Sequence, residues 1–373
     1  MCNSDILIQE KNDLKVEDIP NGIVLPHLKI NNGPKWGLGG VVDSNKNFVK
    51  SSGLYRNWIS FGGIYELDDM GIKNIDEDVI WFGFFYKHWG HFLVDFISRM
   101  WFLLSNYNGE YIVYVSSKDS IDGNFLEFLN LLGVPGNKLL RITSPTRFKK
   151  IIIPEYSFSE NEYNKSFLSI FERIINNALV NGNSISDKKN TYDRVYFSRQ
   201  AFSNALSKEC GESIIESVFI DNGFESVYPE RLSLVEQIII WNESKWIVSM
   251  NGTIPLNLVF CMDKNKKITV LNKTHHEHKN LLVFQNIFSM GSVEYVNIYN
   301  NKYCKLAKNL GDGPFVLDKT KDLTNYCMEN LLNIINEKHH SNIAVLLFLI
   351  RFYIRKYFLY LAKKMYGFLF INR

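Results

Sequence analysis

The sequence predicts an α/β protein built from two doubly wound domains that face a cleft. Apolar runs typical of buried strands alternate with helical patterns along the chain, which favours parallel sheets covered by helices on both faces. A length of 373 residues is large for one core and favours two domains. The polar segment 181–190 separates two alternating series, and we predict that it is the linker between the domains.

The predicted organisation has four parts: an N-terminal arm at residues 1–34, a first domain at 35–185, a second domain at 186–310 and a helical segment at 311–373. In the first domain we predict strands at 79–85, 111–116 and 149–154, and helices at 125–132 and 166–180. In the second we predict strands at 194–198, 224–228, 246–250 and 267–271, and helices at 213–219, 234–241 and 255–261. Ligands of such sheets bind beyond the carboxyl ends of the strands, so residues that follow strands are the first candidates for a site.

Composition narrows the class of protein. The chain is 46% hydrophobic and 22% charged, which indicates a folded globular protein, and its net charge of +3 gives no reason to expect nucleic acid as a partner. The five cysteines have no metal-ligand spacing and favour free thiols in a reducing compartment. The first ten residues lack the pattern of a signal peptide. We therefore expect a cytoplasmic protein.

The C-terminal segment interleaves basic and aromatic residues. Its uninterrupted apolar run, residues 343–350, is much shorter than the roughly 20 residues that a membrane-spanning helix needs. This pattern is typical of an amphipathic helix in the membrane interface, so we expect a peripheral association with the inner face of the cell membrane. The alternative is a terminal helix that packs back on the protein and keeps its basic residues in water.

One predicted helix carries a narrow polar stripe. Read at 3.6 residues per turn, His88, His91, Asp95, Ser98 and Arg99 lie within about 100° of one another, and nearly every other residue of the segment is apolar. Buried ionisable groups are costly unless they are paired or functional, so the stripe indicates an active-site wall with His91 and Asp95 as catalytic candidates. The alternative is a structural network in which Asp95 satisfies Arg99 and His91.

A second candidate site follows the predicted strand 246–250. Asn251, Gly252 and Thr253 connect this strand to a predicted helix whose first turn contains Pro255. A glycine there allows a ligand to approach the backbone, and a helix N-terminus favours a phosphate. Arg199 follows the strand 194–198 and could pair with the same anion. The alternative is an ordinary turn with Thr253 as the helix cap, and a surface salt bridge for Arg199.

Three other polar groups have simpler explanations. Glu236 lies in a capping-box pattern with Ser233, although it could also accept hydrogen bonds from a ribose. The cluster at residues 275–278 has adjacent histidines, which do not converge easily on one metal ion. The acidic residues at 76–78 precede a strand, so we interpret them as a turn. We predict neither a metal nor a cofactor.

The polar blocks, taken in order, resemble glycosyltransferase family 61, whose members have the GT-B fold of two Rossmann-like domains. The matching blocks are residues 40–44, residues 91–95 with Arg99, residues 196–199, residues 223–227 with 229–237, and residues 247–253 with Asn257 and Phe260. The resemblance implies an inverting, metal-independent transfer from a nucleotide-sugar donor to a glycan or lipid-linked glycan. Bacterial members typically build capsule, exopolysaccharide or lipopolysaccharide.

The resemblance also implies roles for single residues. Arg199, Glu236 and the turn 251–253 would bind the nucleotide diphosphate, Arg99 and Asn257 are further candidates for substrate binding, and His91 and Asp95 would face the acceptor. Either His91 or Asp95 would act as the general base, or Asp95 would orient His91. The alternative function is a non-catalytic glycan-binding or polysaccharide-assembly partner, and a more distant one is a metal-dependent hydrolase.

Overall fold

The predicted α/β class is confirmed. In this computed structural model, residues 8–57, 59–66, 71–183, 192–334 and 341–371 are described. The chain divides into two compact units, the first formed by Met1–Asp187 with Ser233–Ile239 and the second by Lys188–Leu232 with Ile240–Arg373. Residues 181–183 of the predicted linker continue a helix, and its residues 184–190 lie outside the described residues.

The first unit is organised around a seven-stranded mixed sheet. The strands of the unit are β1 (Gln9–Glu10), β2 (Val16–Pro20), β3 (Ile23–Leu28), β4 (Leu38–Val42), β5 (Leu54–Arg56), β6 (Ile59–Phe61), β7 (Lys73–Phe84), β8 (Tyr111–Val115), β9 (Leu139–Arg141), β10 (Thr146–Pro154) and β11 (Glu162–Tyr163), of which β1 with β11 and β5 with β6 form separate pairs. The sheet order is β4-β3-β10-β7-β8-β9, and β2 also pairs with β10. Strands β10, β7, β8 and β9 are parallel, whereas β2, β3 and β4 pair antiparallel.

The N-terminal region differs from the expected arm. Strands β2 and β3 belong to the main sheet, where β2 pairs along the length of β10 from Lys150 to Pro154. Their short apolar patches gave no clear alternation, because Pro20 and Pro26 interrupt them and most side chains of β2 are exposed. The predicted all-parallel sheet is thus correct only for the strands β7 to β10.

Helices of the first unit cover the sheet: α1 (Trp89–Val94), α2 (Leu103–Asn106), α3 (Gly123–Leu131) and α4 (Lys165–Asn183). The predicted helices at 125–132 and 166–180 are confirmed as α3 and α4. The polar-striped segment is not one continuous α-helix, because α1 ends at Val94 and a 3₁₀ helix follows over Phe96–Phe102. A 3₁₀ helix has three residues per turn, so the stripe expected at 3.6 residues per turn breaks after Asp95.

The second unit contains a five-stranded sheet that is parallel throughout. The strands of the unit are β12 (Arg194–Phe197), β13 (Glu209–Cys210), β14 (Glu225–Val227), β15 (Trp246–Met250), β16 (Lys267–Asn272), β17 (Val293–Asn297) and β18 (Phe315–Val316). The sheet order is β14-β12-β15-β16-β17, and β13 pairs with β18 separately. The four predicted strands are confirmed, and β17 is an addition. In sheets of this order, ligands bind where the strand order reverses, here between β12 and β15.

The remaining helices are α5 (Ser203–Leu206), α6 (Glu212–Ile220), α7 (Leu234–Glu243), α8 (Lys279–Ile287), α9 (Lys321–Glu329) and α10 (Asn342–Ile371). The predicted helix at 255–261 is instead a 3₁₀ helix over Ile254–Phe260. The C-terminal segment forms the 30-residue helix α10. Within the described part of the chain, no helix combines the length and apolar composition that crossing a bilayer requires.

Candidate functional site

In the first unit, His91 and Asp95 form a hydrogen-bonded pair at the end of α1. The Nδ1 atom of His91 lies 3.0 Å from Oδ2 of Asp95, one helical turn away. The Asp95 side chain is only 5% exposed, whereas that of His91 is 20% exposed. Because an ionised carboxylate only accepts hydrogen bonds, Nδ1 of the imidazole is the donor, and the neutral ring then carries its basic lone pair on Nε2. This geometry suits an imidazole that takes a proton.

Two residues that sequence reasoning missed complete the pair. Arg56, the last residue of β5, places Nη1 2.7 Å from Oδ1 of Asp95 and Nε 3.2 Å from Oε1 of Glu160. The Arg56 guanidinium therefore neutralises Asp95 and leaves its second oxygen to His91. No local pattern links residues 56, 95 and 160, because they lie far apart in sequence and only the tertiary fold of the first unit brings them together.

Aromatic rings surround the imidazole of His91. Trp36 contacts it edge-on with ring centroids 4.8 Å apart, Tyr86 lies at 5.4 Å, and His88 lies at 5.2 Å. His88 is the residue that precedes α1 and is exposed. These contacts fix the ring plane of His91, so the imidazole is held in one orientation.

Asp95 also borders a cavity in the first unit. The cavity has a volume of about 420 Å³ and is lined by Arg56, Asp95 and the rings of Tyr55, Tyr156 and Tyr163, among others. A pocket of this size with aromatic and charged walls can hold a small polar ligand. The carboxylate that orients His91 is thus reachable from a space within the first unit.

Ser98 and Arg99 do not extend the site. Both are fully buried, and Ser98 accepts a hydrogen bond from the backbone N–H of Phe158 at 2.7 Å. The Arg99 guanidinium donates to the carbonyl oxygens of Pro154 and, at 2.6 Å, of Ser51. The change to 3₁₀ geometry after Asp95 turns these side chains into the core. Arg99 therefore occupies a structural position rather than the substrate-facing one expected of it.

In the second unit, the structure brings Arg199 and Gly252 together beside the switch point between β12 and β15. Arg199 follows β12 and Gly252 follows β15, and these two strands are parallel neighbours. A Cβ atom on Gly252 would lie 3.2 Å from Nη1 of Arg199 and 3.9 Å from Nζ of Lys273. Gly252 has φ +152°, which also disfavours any other residue. The missing side chain leaves a small space bordered by two cations.

Lys273 and Glu209 were not predicted. Lys273 follows β16 as Arg199 follows β12, so its position after a strand was a usable signal. Its ammonium lies 2.8 Å from Oε1 of Glu209, and the other oxygen of Glu209 lies 3.2 Å from Nε of Arg199. Glu209 therefore holds both cations, and Nη1 of Arg199 faces Gly252. Burial lowers the pKa of Lys273 to about 8, so the ammonium is mostly charged at neutral pH.

Asn251 presents a buried acceptor to the same region. Its amide nitrogen donates to Asn272 at 2.7 Å, and its carbonyl oxygen Oδ1 has no hydrogen-bond partner although the residue is buried. Buried polar atoms without partners are rare in folded proteins. Water or a ligand group with a hydrogen to donate would satisfy Oδ1, so this atom marks a place for a polar ligand rather than for a bare anion.

Two further titratable groups border the cations. Oε1 of Glu212 accepts the backbone N–H of Arg199 at 2.7 Å, and burial raises the pKa of Glu212 to about 7. His278 is the N-cap residue before α8, where its Nδ1 accepts the N–H of Leu281, and burial lowers its pKa to about 4. His278 also hydrogen-bonds the Gly252 backbone. The Glu212 carboxyl is thus partly protonated near neutral pH, which limits the negative charge near Arg199.

The helix that follows the turn at residues 251–253 contributes less positive charge to the site than expected. Thr253 precedes the seven-residue 3₁₀ helix Ile254–Phe260 and makes no capping hydrogen bond with its side chain. A short 3₁₀ helix has little of the dipole that a long α-helix offers an anion. Asn257 is buried within this helix. The positive charge beside Gly252 therefore comes from Arg199 and Lys273 rather than from a helix end.

Glu236 completes a capping box. Its carboxylate accepts the backbone N–H of Ser233 at 2.8 Å, and the Ser233 hydroxyl accepts the N–H of Glu236 at 3.2 Å. Glu127 takes the next free amide of helix α7, that of Leu234, at 2.7 Å. Helix capping accounts for the position of Glu236 without a ribose. Among the described residues, no three His, Cys, Asp or Glu side chains form a group suited to a metal ion.

A comparison with known protein families agrees with the polar blocks between residues 91 and 260, and the block at residues 40–44 lies outside the matched range. Residues 89–269 match the family model described as Glycosyltransferase 61, a range that includes His91, Asp95, Arg199 and Gly252. A search of curated proteins found no match to the chain. The chain therefore contains a glycosyltransferase family 61 domain and is a glycosyltransferase.

Proposed function

We propose that this glycosyltransferase moves a sugar from a nucleotide-sugar donor to a growing cell-surface polysaccharide, such as capsule, exopolysaccharide or lipopolysaccharide. The transfer inverts the anomeric carbon and needs no metal. The observation that carries the proposal is the pair of cations, Arg199 and Lys273, beside the Gly252 turn. A family match for glycosyl transfer and a two-cation site in one parallel sheet favour a donor that leaves as a diphosphate.

The second unit would bind the donor. Nη1 of Arg199 and Nζ of Lys273 would contact diphosphate oxygens in the space left open by Gly252. Charge-assisted hydrogen bonds of this kind are about twice as strong as neutral ones. When the bond between the anomeric carbon and the diphosphate breaks, its electron pair and the negative charge move to the diphosphate. The two cations stabilise that charge.

The first unit would activate the acceptor. Nε2 of His91 takes the proton of the acceptor hydroxyl as its oxygen attacks the anomeric carbon, and Asp95 stabilises the imidazolium that forms. Arg56 pairs with Asp95 and keeps its carboxylate aligned. One attack from the face opposite the leaving diphosphate inverts the configuration at that carbon. This assigns the general base to His91 and the orienting role to Asp95.

We place these roles in a GT-B arrangement, with an acceptor-side domain that includes strands β2 and β3 and ends at residue 185, a donor-side domain at 186–310 and a C-terminal segment at 311–373. The acceptor is a glycan or lipid-linked glycan, and the enzyme works in the cytoplasm as a peripheral protein at the inner face of the cell membrane. The family match supports a transferase over the alternative of a glycan-binding partner without catalysis.

Nucleoside diphosphates and their sugars are expected to stabilise the protein against heat. A ligand that binds only the native state at 100 times its Kd adds about 2.7 kcal/mol to the free energy of unfolding. The measurement is a thermal-shift screen of nucleotide sugars and of inorganic pyrophosphate, followed by a transfer assay with the best donor in the presence of EDTA. Failure of every nucleotide to shift the melting temperature would contradict the proposal.

Matched variants test the two cations in this screen. Arg199→Met and Lys273→Met should each weaken nucleotide binding about tenfold or more, because each loses a charge-assisted contact. The controls lie at the opposite ends of the same strands: Arg194→Met on β12 and Lys266→Met before β16. Lys266 is also buried, with its ammonium 2.7 Å from the Trp241 carbonyl. If the control variants lost as much nucleotide affinity, the effect would be one of protein stability rather than of direct contact.

A further inference from the structure

One face of helix α10 is held against the second unit. Val345 and Phe352, two turns apart, are 5% and 8% exposed. On the same side, Nζ of Lys356 lies 3.4 Å from Oδ2 of Asp312. These contacts lie on a single stripe, since residues 345, 352 and 356 share a face at 3.6 residues per turn. The helix therefore contacts the rest of the second unit along one narrow stripe, and most of its described surface is exposed to solvent.

The opposite face of α10 is apolar and exposed. Ten large side chains on this helix are between 45% and 70% exposed: Ile343, Leu346, Leu347, Ile350, Tyr353, Ile354, Tyr357, Phe358, Leu359 and Tyr360. Positions 343, 346, 350, 353 and 357 recur at the spacing of one helix face. Single exposed apolar residues are normal on a protein surface, but a continuous apolar face indicates an interaction site.

The charge of α10 has one sign. Between Asn342 and Ile371 there are five basic residues and no acidic one. Arg351 and Arg355 are exposed and lie on one flank between the docked stripe and the apolar face. An apolar protein partner would need only the apolar face for binding. Two arginines beside that face favour a surface that is apolar inside and anionic at its edge, and a bilayer of acidic phospholipids has both properties.

We propose that the exposed face of α10 is a docking surface for anionic phospholipid membranes, with the helix axis in the plane of the interface. Its apolar side chains enter the acyl boundary, while Arg351 and Arg355 contact lipid phosphates. The inference rests on the proposed function only for the location of the enzyme at a membrane. The proposal adds which surface of the enzyme contacts the membrane and which class of lipid that surface binds.

The test is sedimentation of the full chain with vesicles. Binding to vesicles of phosphatidylcholine with about 30% phosphatidylglycerol is expected, with weaker binding to pure phosphatidylcholine and to either vesicle at high salt. Arg351→Gln with Arg355→Gln should lower the partition coefficient about 25-fold, because each cation near an anionic surface contributes about fivefold. Leu346→Ser with Ile350→Ser should abolish binding, because it removes apolar side chains that enter the acyl boundary. Both positions are exposed enough to leave the fold intact.

A charge-matched control is the double variant Lys305→Gln with Lys321→Gln, which removes two exposed cations elsewhere in the second unit and should bind like the wild type. An equal loss in this control, or no preference for anionic vesicles, would overturn the proposal. So would a dimer in analytical ultracentrifugation that the Leu346 and Ile350 changes dissociate, because a second copy would then cover the face. Pyrophosphate binding is measured in parallel, so that a failure of the donor site and a failure of the membrane surface are told apart.

Discussion

Replacing Asp95 with Asn is expected to lower turnover about 10²–10⁴-fold, the range that general base catalysis contributes. The asparagine amide is isosteric, yet it can present N–H rather than an acceptor to Nδ1 of His91. The imidazole would then favour the wrong tautomer, with its lone pair on Nδ1 instead of Nε2. The measurement is kcat with saturating donor and acceptor, alongside the melting temperature. Arg56 keeps Glu160 as a partner, so the protein should remain folded.

Glu160→Gln is the matched control for this experiment. It neutralises the other carboxylate that contacts Arg56, at 3.2 Å, but it does not touch His91. Turnover close to that of the wild type is expected. His91→Ala should match Asp95→Asn, and the double variant should be no worse than either, because residues that act as a unit are not additive. If Glu160→Gln lost as much activity as Asp95→Asn, the whole network would be structural.

Replacing Gly252 with Val should weaken donor binding at least about 100-fold, the largest expected effect on affinity. The new Cβ would lie 3.2 Å from Nη1 of Arg199 and its methyl groups would fill the space before Lys273. Two charge-assisted contacts would be lost, each worth about 1.5–3 kcal/mol. The measurement is the Kd of a nucleoside diphosphate by calorimetry. We expect the effect in Kd and in the KM for the donor rather than in acceptor binding.

A glycine elsewhere separates a blocked site from backbone strain. Gly223 has φ +79° and lies before β14 in the same unit, and a Cβ there would meet nothing within 4 Å. Gly223→Val therefore carries the strain of a positive φ without a collision. Nucleotide affinity should be retained in this variant, and Gly252→Ala provides a milder change if the valine unfolds the protein. Unaltered binding in Gly252→Ala and Gly252→Val would show that no anion enters there.

The second unit could be predicted from the sequence because its signals are local. The strand predicted at 246–250 has the bounds of β15, since a fully buried parallel strand shows a nearly continuous apolar run, here interrupted only by Ser249. Adjacent parallel strands end at the same edge, and this rule is sufficient to place Arg199 near Gly252. The same rule applied to β16 would have found Lys273.

The first unit was harder because its decisive contacts are long-range. Arg56 reaches Asp95 across 39 residues of sequence and Glu160 across 104, and neither Arg56 nor Glu160 lies in a motif. The change from α1 to a 3₁₀ helix at Asp95 depends on packing that a periodic pattern does not show. Ser98 and Arg99 satisfy the helical stripe but point into the core, so periodicity alone could not separate catalytic from structural polar residues.

Because Trp36 contacts His91 edge-on, the charge state of the proposed base can be followed by tryptophan fluorescence. Imidazolium quenches the emission of a neighbouring indole more strongly than neutral imidazole does, and the two ring centroids are 4.8 Å apart. The part of the fluorescence difference between the wild type and Trp36→Phe that disappears in His91→Ala therefore follows the charge on this histidine. Ligands that change the charge on the ring become visible without an assay of the reaction.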